Sequence, residues 1–115
     1  MTARAKLRGL ARAYRRMPWL IGDALNEAVY RDEGRAHGTF ARDSGLSEYQ
    51  LYDMARVASH WPKKDRVFDV PWSYYRDCGS DLGVAKAVLT STVKMGWSRE
   101  DMRRCLRRIR EMELG

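Results

Sequence analysis

The sequence predicts an all-α fold, a compact bundle of about five to six helices that contains a helix-turn-helix. Apolar residues recur three and four residues apart along most of the chain, which is the spacing of one helix face. The segments with this spacing begin at serine, aspartate or proline and end at glycine or proline, as helices commonly do. Of the 115 residues 44% are hydrophobic, enough for one core. We therefore expect a basic N-terminal helix over residues 1–17 and a single helical domain over residues 18–115.

The first predicted helix runs from Thr2 to Met17 and is amphipathic and strongly basic. Its apolar stripe consists of Ala3, Leu7, Leu10, Tyr14 and Met17, and Arg4, Arg8, Arg12, Arg15 and Arg16 occupy the rest of the helix. We expect the stripe to dock on the rest of the protein while the arginines attract a phosphate backbone or a groove. Because proline suits the first turn of a helix, Pro18 predicts a second helix that continues to about Glu33, with an acidic outer surface and Gly34 at its end.

The stretch from Gly38 to Arg56 has the spacing of a helix-turn-helix, with helices predicted at about 35–43 and 47–60. Gly45 permits the positive φ of a sharp turn, and Ala41 is small where the helices cross. The capping box is Ser47 with Gln50, and the predicted core side chains are Phe40, Leu46, Leu51 and Met54. An ordinary helical hairpin with a glycine turn uses much the same residues, so spacing alone leaves both readings open.

The outer side of the second helix is the predicted reading surface. It carries Ser47, Glu48, Tyr49, Tyr52, Asp53 and Arg56. In a DNA-binding helix-turn-helix this side enters the major groove and contacts base edges. Glu48 and Asp53 are unusual beside phosphates. They either accept hydrogen bonds from cytosine amino groups or indicate that the helix binds a protein instead.

After this helix the chain contains a loop and a short aromatic helix. Pro62 ends the long helix, and Lys63 and Lys64 then either balance the negative helix end or reach a phosphate. The short helix is predicted to begin at Pro71, with Trp72 and Tyr75 as core anchors and Tyr74 beside them. An aromatic pair can also stack on bases, but burial is the commoner role.

The last two predicted helices meet at a second glycine turn. The first starts after Gly79 and ends at Gly96, and Ser98 with Asp101 forms a capping box for the second. Because Thr92 fits a helix crossing less well than alanine, we predict phosphate contacts rather than base reading for this corner. The predicted phosphate-contacting residues of the whole chain are Arg42, Lys63, Lys64, Arg99, Arg103, Arg104 and Arg107.

Charge and composition narrow the function classes. The net charge is +7 and the excess of basic residues is mostly arginine, which favours nucleic acid as the partner and leaves ribosomal, membrane-surface and other anionic-partner readings open. Cys78 and Cys105 lack metal-ligand or disulfide spacing, so we expect a reducing cytoplasm and neither a metal nor a cofactor. No apolar run is long enough to span a bilayer. Without a paired carboxylate, a Cys/His couple or a phosphate-binding glycine loop, we expect no enzyme activity.

Several short runs after the N-terminal helix carry a resemblance to known proteins. They are 19–25, 44–47, 57–58 with 61–62, Arg66 with 71–75, and 94–98 with 102–103. In this order the chain resembles small helix-turn-helix proteins from bacteriophages, plasmids and actinobacterial mobile elements. The resemblance implies sequence-specific duplex binding and no catalytic activity. That group often has a His pair where this chain has Tyr74 and Tyr75, so no role is carried over for that pair.

The expected function is therefore sequence-specific binding to double-stranded DNA by a homodimer that regulates transcription or replication. Two alternatives stay open at this point. The first is a protein-interaction module, such as a phage-encoded inhibitor of a host protein, and the acidic residues of the reading surface favour it. The second is RNA binding through the basic terminal helices.

Overall fold

The computed structural model describes residues 2–30 and 36–114, and within these ranges the chain is helical without strands. This confirms the all-α class. The helices are α1 (Ala3–Tyr30), α2 (Ala36–Ser44), α3 (Glu48–His60), α4 (Trp72–Asp77), α5 (Leu82–Met95) and α6 (Arg99–Leu114), with a 3-10 turn at Lys63–Asp65. The chain divides into two compact units, Met1–His60 and Trp61–Gly115, which are described in turn. The domain boundary expected after residue 17 stays a prediction.

The first helix, α1, is continuous through Pro18, so the prediction of two helices that meet there was wrong. Proline has no amide hydrogen to donate to the carbonyl of residue 14, a loss that costs about 3 kcal/mol in a helix interior. Packing offsets this cost in the second half of α1, where Leu25 is buried and the Asn26 side chain donates to the Ala55 carbonyl at 2.9 Å. The predicted helix end near Glu33 and Gly34 lies outside the described residues.

The core of the first unit lies where α1 crosses α3. Leu25, Leu51 and Ala55 form its buried cluster, and the partly buried side chains packed on it are Ile21, Ala41, Leu46 and Met54. Gly22 allows the close approach, because a Cβ at this position would lie 2.9 Å from the Ala58 Cβ. The small residues at the crossing therefore hold α3 directly against α1.

The apolar stripe in the first half of α1 is exposed, which contradicts the expectation that it docks. Leu7 is 66% exposed, Leu10 65% and Tyr14 82%, and every residue from Thr2 to Met17 is classed with them as exposed. The spacing of apolar residues identifies the face that burial would favour. It does not show what covers that face, so the docking partner could not be read from the sequence.

The second unit is organised around three aromatic rings. Trp61 and Tyr75 are buried and pack edge to face with ring centroids 4.9 Å apart, and Phe68 lies 6.2 Å from Tyr75. The Tyr75 hydroxyl accepts from the Phe68 amide at 2.8 Å and donates to the Phe68 carbonyl at 2.9 Å. Tyr75 is thus the core anchor that was predicted. Trp72 is half-buried rather than buried.

The last two helices supply the remaining core of the second unit. Their buried side chains are Ala85, Val88, Leu89, Thr92, Met102 and Leu106. The buried Cys78 sulfur lies 3.9 Å from the Met102 sulfur and links the end of α4 to α6. A salt bridge of 2.7 Å between Lys86 and Asp65 joins α5 to the 3-10 turn.

Candidate nucleic-acid interface

The turn between α2 and α3 has the local structure that the sequence predicts. Gly45 has φ +78°, and its amide donates to the Ala41 carbonyl at 2.9 Å. The Ser47 amide donates to the Gln50 side-chain oxygen at 2.9 Å, and the Gln50 amide donates to the Ser47 hydroxyl at 3.1 Å. This reciprocal pair confirms the predicted capping box and fixes where α3 begins.

The outer side of α3 carries the predicted base-reading residues at the surface of the first unit. Tyr49 is 80% exposed and Tyr52 is 69% exposed, while Ser47 and Glu48 are also exposed. Phe40, expected in the core, is instead partly exposed beside this corner. The tyrosine side chains therefore have room to reach a partner, because neither is packed into the core.

Asp53 and Arg56, also predicted to read bases, are engaged with each other. The Arg56 guanidinium donates to the Asp53 carboxylate at 2.6 Å, and both side chains are partly buried. The ion pair neutralises the negative charge of Asp53, which is unusual on a helix that faces DNA. It also means that Arg56 contacts a base only by sharing its guanidinium with Asp53 or by leaving it.

The predicted phosphate contacts outside α6 are exposed. Arg42 lies in the last turn of α2, and Lys63 and Lys64 lie in the 3-10 turn of the second unit. All three side chains are therefore accessible to an anion.

The corner between α5 and α6 has a glycine turn and a capping box like those of the first corner. Gly96 has φ +67°, and the Trp97 amide donates to the Thr92 carbonyl at 3.0 Å. Ser98 and Asp101 exchange amide-to-side-chain hydrogen bonds of 3.2 Å in both directions, which confirms the second capping box. Thr92 is buried, and its hydroxyl donates to the Val88 carbonyl at 2.8 Å. The helix itself thus satisfies the hydroxyl, and the expectation that threonine fits the crossing less well than alanine stays a prediction.

Two of the predicted phosphate-binding arginines on α6 share one carboxylate. Nε of Arg99 and Nε of Arg103 both donate to an oxygen of Asp77, the latter at 2.9 Å. Burial alone would raise the pKa of Asp77, but the hydrogen bonds and charges of Arg99 and Arg103 outweigh it and the net pKa is lowered. Asp77 thus positions both arginines. Sequence reasoning missed this role because the partners lie 22 and 26 residues away, beyond any local spacing.

The other arginines of α6 are more accessible. Arg104 makes only long contacts with acids, 3.8 Å to Asp101 and 3.9 Å to Glu100, and Arg107 is exposed. Trp97, Arg104 and Arg108 line an open groove of about 380 Å³ together with Cys105. The exposed side of α6 therefore offers several guanidinium groups to a partner, next to the half-buried Trp97.

Cys78 is a free, buried thiol. Burial is the main cause that raises its pKa to about 12, and the adjacent Asp77 charge adds to the effect. A thiol with this pKa stays protonated and is a poor nucleophile.

Comparisons with known proteins add no family assignment. Models of protein families, characterised proteins and solved structures were all compared with the chain, and none of them matches it. Within residues 2–30 and 36–114, none of the helices combines the length and apolarity that a bilayer crossing requires.

Proposed function

We propose that this protein is a sequence-specific DNA-binding regulator of transcription or replication, of the type that phages and mobile elements encode. The observation that carries the proposal is the exposed outer side of α3. Tyr49 and Tyr52 project from a helix whose start is fixed by a capping box and whose inner side is fixed by the buried Leu51. A helix held in this way can present its outer side to a major groove.

The basic side chains supply the second part of the proposal. The arginines of α6 and the exposed Arg42, Lys63 and Lys64 contact phosphates, which orient the protein without specifying sequence. Binding through several phosphates releases counterions, so the affinity should fall steeply with salt. Because one helix reads few base pairs, we expect two copies on a palindromic site.

Selection of bound sequences from a random duplex pool is the first test, and two variants then divide the roles. Tyr52→Ala should relax the selected consensus, because the loss of a base contact costs about 1–3 kcal/mol of discrimination. Arg103→Ala should weaken all sequences alike and reduce the slope of log affinity against log salt by about 1. Affinities for the consensus and for a scrambled duplex, measured over a salt series, give both quantities.

Tyr52→Phe and Lys94→Ala serve as comparison variants. The first keeps the ring at residue 52 and removes only its hydroxyl, and the second removes an exposed cation that is assigned no contact. If Tyr52→Ala and Arg103→Ala changed affinity and preference equally, the assignment of α3 as the reading helix would be overturned.

A second candidate function is binding to a protein of the host. Acidic residues outnumber basic ones between Pro18 and His60, and Glu48 is exposed on the supposed DNA face. Capture of one stoichiometric protein partner, with no duplex retained at low salt, would favour this function. Preference for structured RNA over duplex DNA in competition would instead favour RNA.

A further inference from the structure

The first half of α1 exposes more apolar side chain than a helix in water normally does. Isolated helices of about 15 residues are marginal in water, and helices in proteins owe most of their stability to a packed apolar face. Residues 2–17 are exposed throughout, yet Leu7, Leu10, Tyr14 and Met17 share one face. This face continues into the packed half of α1 through Ile21.

The spacing of this face is that of a coiled coil. We define the α1 stripe as Ala3, Leu7, Leu10, Tyr14, Met17 and Ile21. Its members form two series that each recur every seven residues, 3, 10 and 17 and then 7, 14 and 21. This is the a and d spacing of a heptad, which places a stripe against a second helix. The stripe therefore has the spacing that pairing with another helix requires.

Most charges in residues 2–17 point away from the stripe, and only Arg4 and Lys6, in the first turn, border it. Arg8, Arg12, Arg15 and Arg16 lie on the opposite side of the helix, and the small Ala11 and Ala13 flank the middle of the stripe. Two identical stripes can therefore approach without placing arginines against arginines. A helix that binds anionic lipid would instead place cations along the whole border of the apolar face, where they reach headgroups.

An apolar groove lies where the stripe enters the packed part of the first unit. It measures about 490 Å³, and its lining includes Met17, Leu20, Ile21, Phe40 and Asp43. The Asp43 carboxylate is exposed at this groove, whereas the first turn of α1 carries Arg4 and Lys6 and no acid. The groove of one copy therefore complements the beginning of α1 in another, both in apolarity and in charge.

We propose that two copies of this chain pair through the α1 stripe as a short antiparallel coiled coil. A symmetric register places Leu7 of one copy against Met17 of the other, and Leu10 against Tyr14. The first turn of each α1 then approaches the apolar groove of the other copy, and Arg4 and Lys6 approach its Asp43. A parallel register would bring the four cations of the two first turns together, which like-charge repulsion disfavours.

The size of the stripe sets the expected affinity. It is about 27 Å long at 1.5 Å per residue and about 10 Å wide. This footprint is smaller than the roughly 800 Å² per partner of a standard interface, although the groove adds to it. We expect a reversible dimer with a dissociation constant on the order of micromolar.

Only the biological role of this pairing rests on the proposed function: it would supply the two-fold dimer that a palindromic DNA site requires. Sedimentation equilibrium of the full chain without DNA tests the pairing itself. Leu10→Glu should shift the dissociation constant upward by at least about tenfold, since it places a charge in the apolar seam. Ala5→Glu makes the same charge change on the far side of α1 and should leave the dimer intact. Far-UV circular dichroism verifies that both variants keep their helices.

Disulfide trapping tests the register. In a Cys105→Ser background, a mixture of the Leu7→Cys and Met17→Cys variants should crosslink faster than either variant alone. Faster trapping of Leu7→Cys alone would overturn the antiparallel arrangement.

The remaining outcomes separate the two proposals. A chain that is monomeric at all concentrations, or a dimer that Leu10→Glu leaves unchanged, would overturn the pairing. Binding of a monomeric chain to phosphatidylserine vesicles, lost in Leu10→Glu, would overturn it in favour of a lipid surface. An intact dimer that binds no duplex would leave the pairing and overturn the proposed function, and a monomer that selects a DNA sequence would do the reverse.

Discussion

The corner between α2 and α3 and the corner between α5 and α6 both join two helices through a glycine turn and a capping box. They differ in the side chains on their outer sides. Each feature of the second corner stands 51 residues after its counterpart: Gly45 and Gly96, Ser47 and Ser98, Leu51 and Met102. On the outer side the residues differ, since Tyr52 in the first corner corresponds to Arg103 in the second. The comparison separates what builds a corner from what a corner offers to a partner.

The inner sides of the two corners show what must stay constant. Leu51 and Met102 are both 0% exposed, and each follows its capping serine by four residues. Leu46 packs against the core cluster, while its counterpart Trp97 is half-buried beside Arg104 in an open groove. The turn and the first buried position are therefore shared, and the surroundings of the apolar turn residue are not.

The outer sides show what is free to vary. In the first corner one acid is tied to one arginine, Asp53 to Arg56, and the exposed positions are aromatic. At the second corner one acid from the end of α4, Asp77, holds two arginines of α6 in place. The first arrangement favours shape and hydrogen bonding to a groove, and the second favours an anionic backbone. This difference underlies the separate roles that we propose for α3 and α6.

The largest expected effect comes from removing the shared buried side chain. Leu51→Ala and Met102→Ala should each lower the free energy of unfolding by about 2–5 kcal/mol, because both leave a cavity in a packed core. Urea denaturation measures the loss. Met112→Ala, on the exposed side of α6, should change stability by less than about 0.5 kcal/mol. A loss as small as this for Leu51→Ala would mean that the two corners are not built on the same core position.

A smaller effect is expected from the shared glycines. Gly45→Ala and Gly96→Ala meet no neighbouring atom within 4 Å, so they test only the positive φ. Left-handed backbone costs a residue with a Cβ about 1–2 kcal/mol, which should appear as lost stability in thermal or urea unfolding. Gly9→Ala is the matched control, because it lies in the open interior of α1 and should stabilise the helix. Equal stability changes at residues 9, 45 and 96 would contradict the role assigned to the turns.

The smallest effect distinguishes the two capping boxes by pH. Hydrogen bonds from Ser98 are the main cause that lowers the pKa of Asp101 below its ordinary value of 3.8, whereas Gln50 in the first box does not titrate. A lowered pKa means that the stabilising contribution is present above 3.8 and is lost as the pH falls through the folded-state value.

Amide exchange and chemical shifts measured by NMR should therefore show the start of α6 loosening as the pH falls below 3.8, and loosening more than the start of α3 does. The variant Asp101→Asn keeps an acceptor and should remove the pH dependence. Parallel loosening of both helix starts would show that the two boxes are not the cause.

The sequence predicted the parts of this molecule that depend on neighbouring residues. Gly45, Gly96 and both capping boxes were found because a turn and a cap are decided within four residues. Pro18 was misjudged because local preference favours a helix start there, while the continuous helix is held by packing on α3. Local rules thus located the corners and failed where tertiary packing decides.

In the candidate site, too, the sequence predicted what depends on neighbouring residues and missed contacts between distant ones. The exposure of Tyr49 and Tyr52 followed from helix periodicity, but the pairing of Asp53 with Arg56 depends on side-chain conformation. Asp77 had no signal in the sequence, since its arginine partners come from a distant helix. The exposed α1 stripe was visible as a pattern, but a pattern of this kind does not name the surface that covers it.

Pro18 has a consequence for how α1 can come apart. It stands at the border between the exposed residues 2–17 and the packed remainder, and it interrupts the ladder of amide donors at that border. Unwinding that begins at the N-terminus therefore reaches the missing backbone hydrogen bond at Pro18 before it reaches Gly22 and Leu25. Residues 2–17 can therefore unfold, be removed by a protease or be exchanged with another copy while α1 and α3 stay packed against each other.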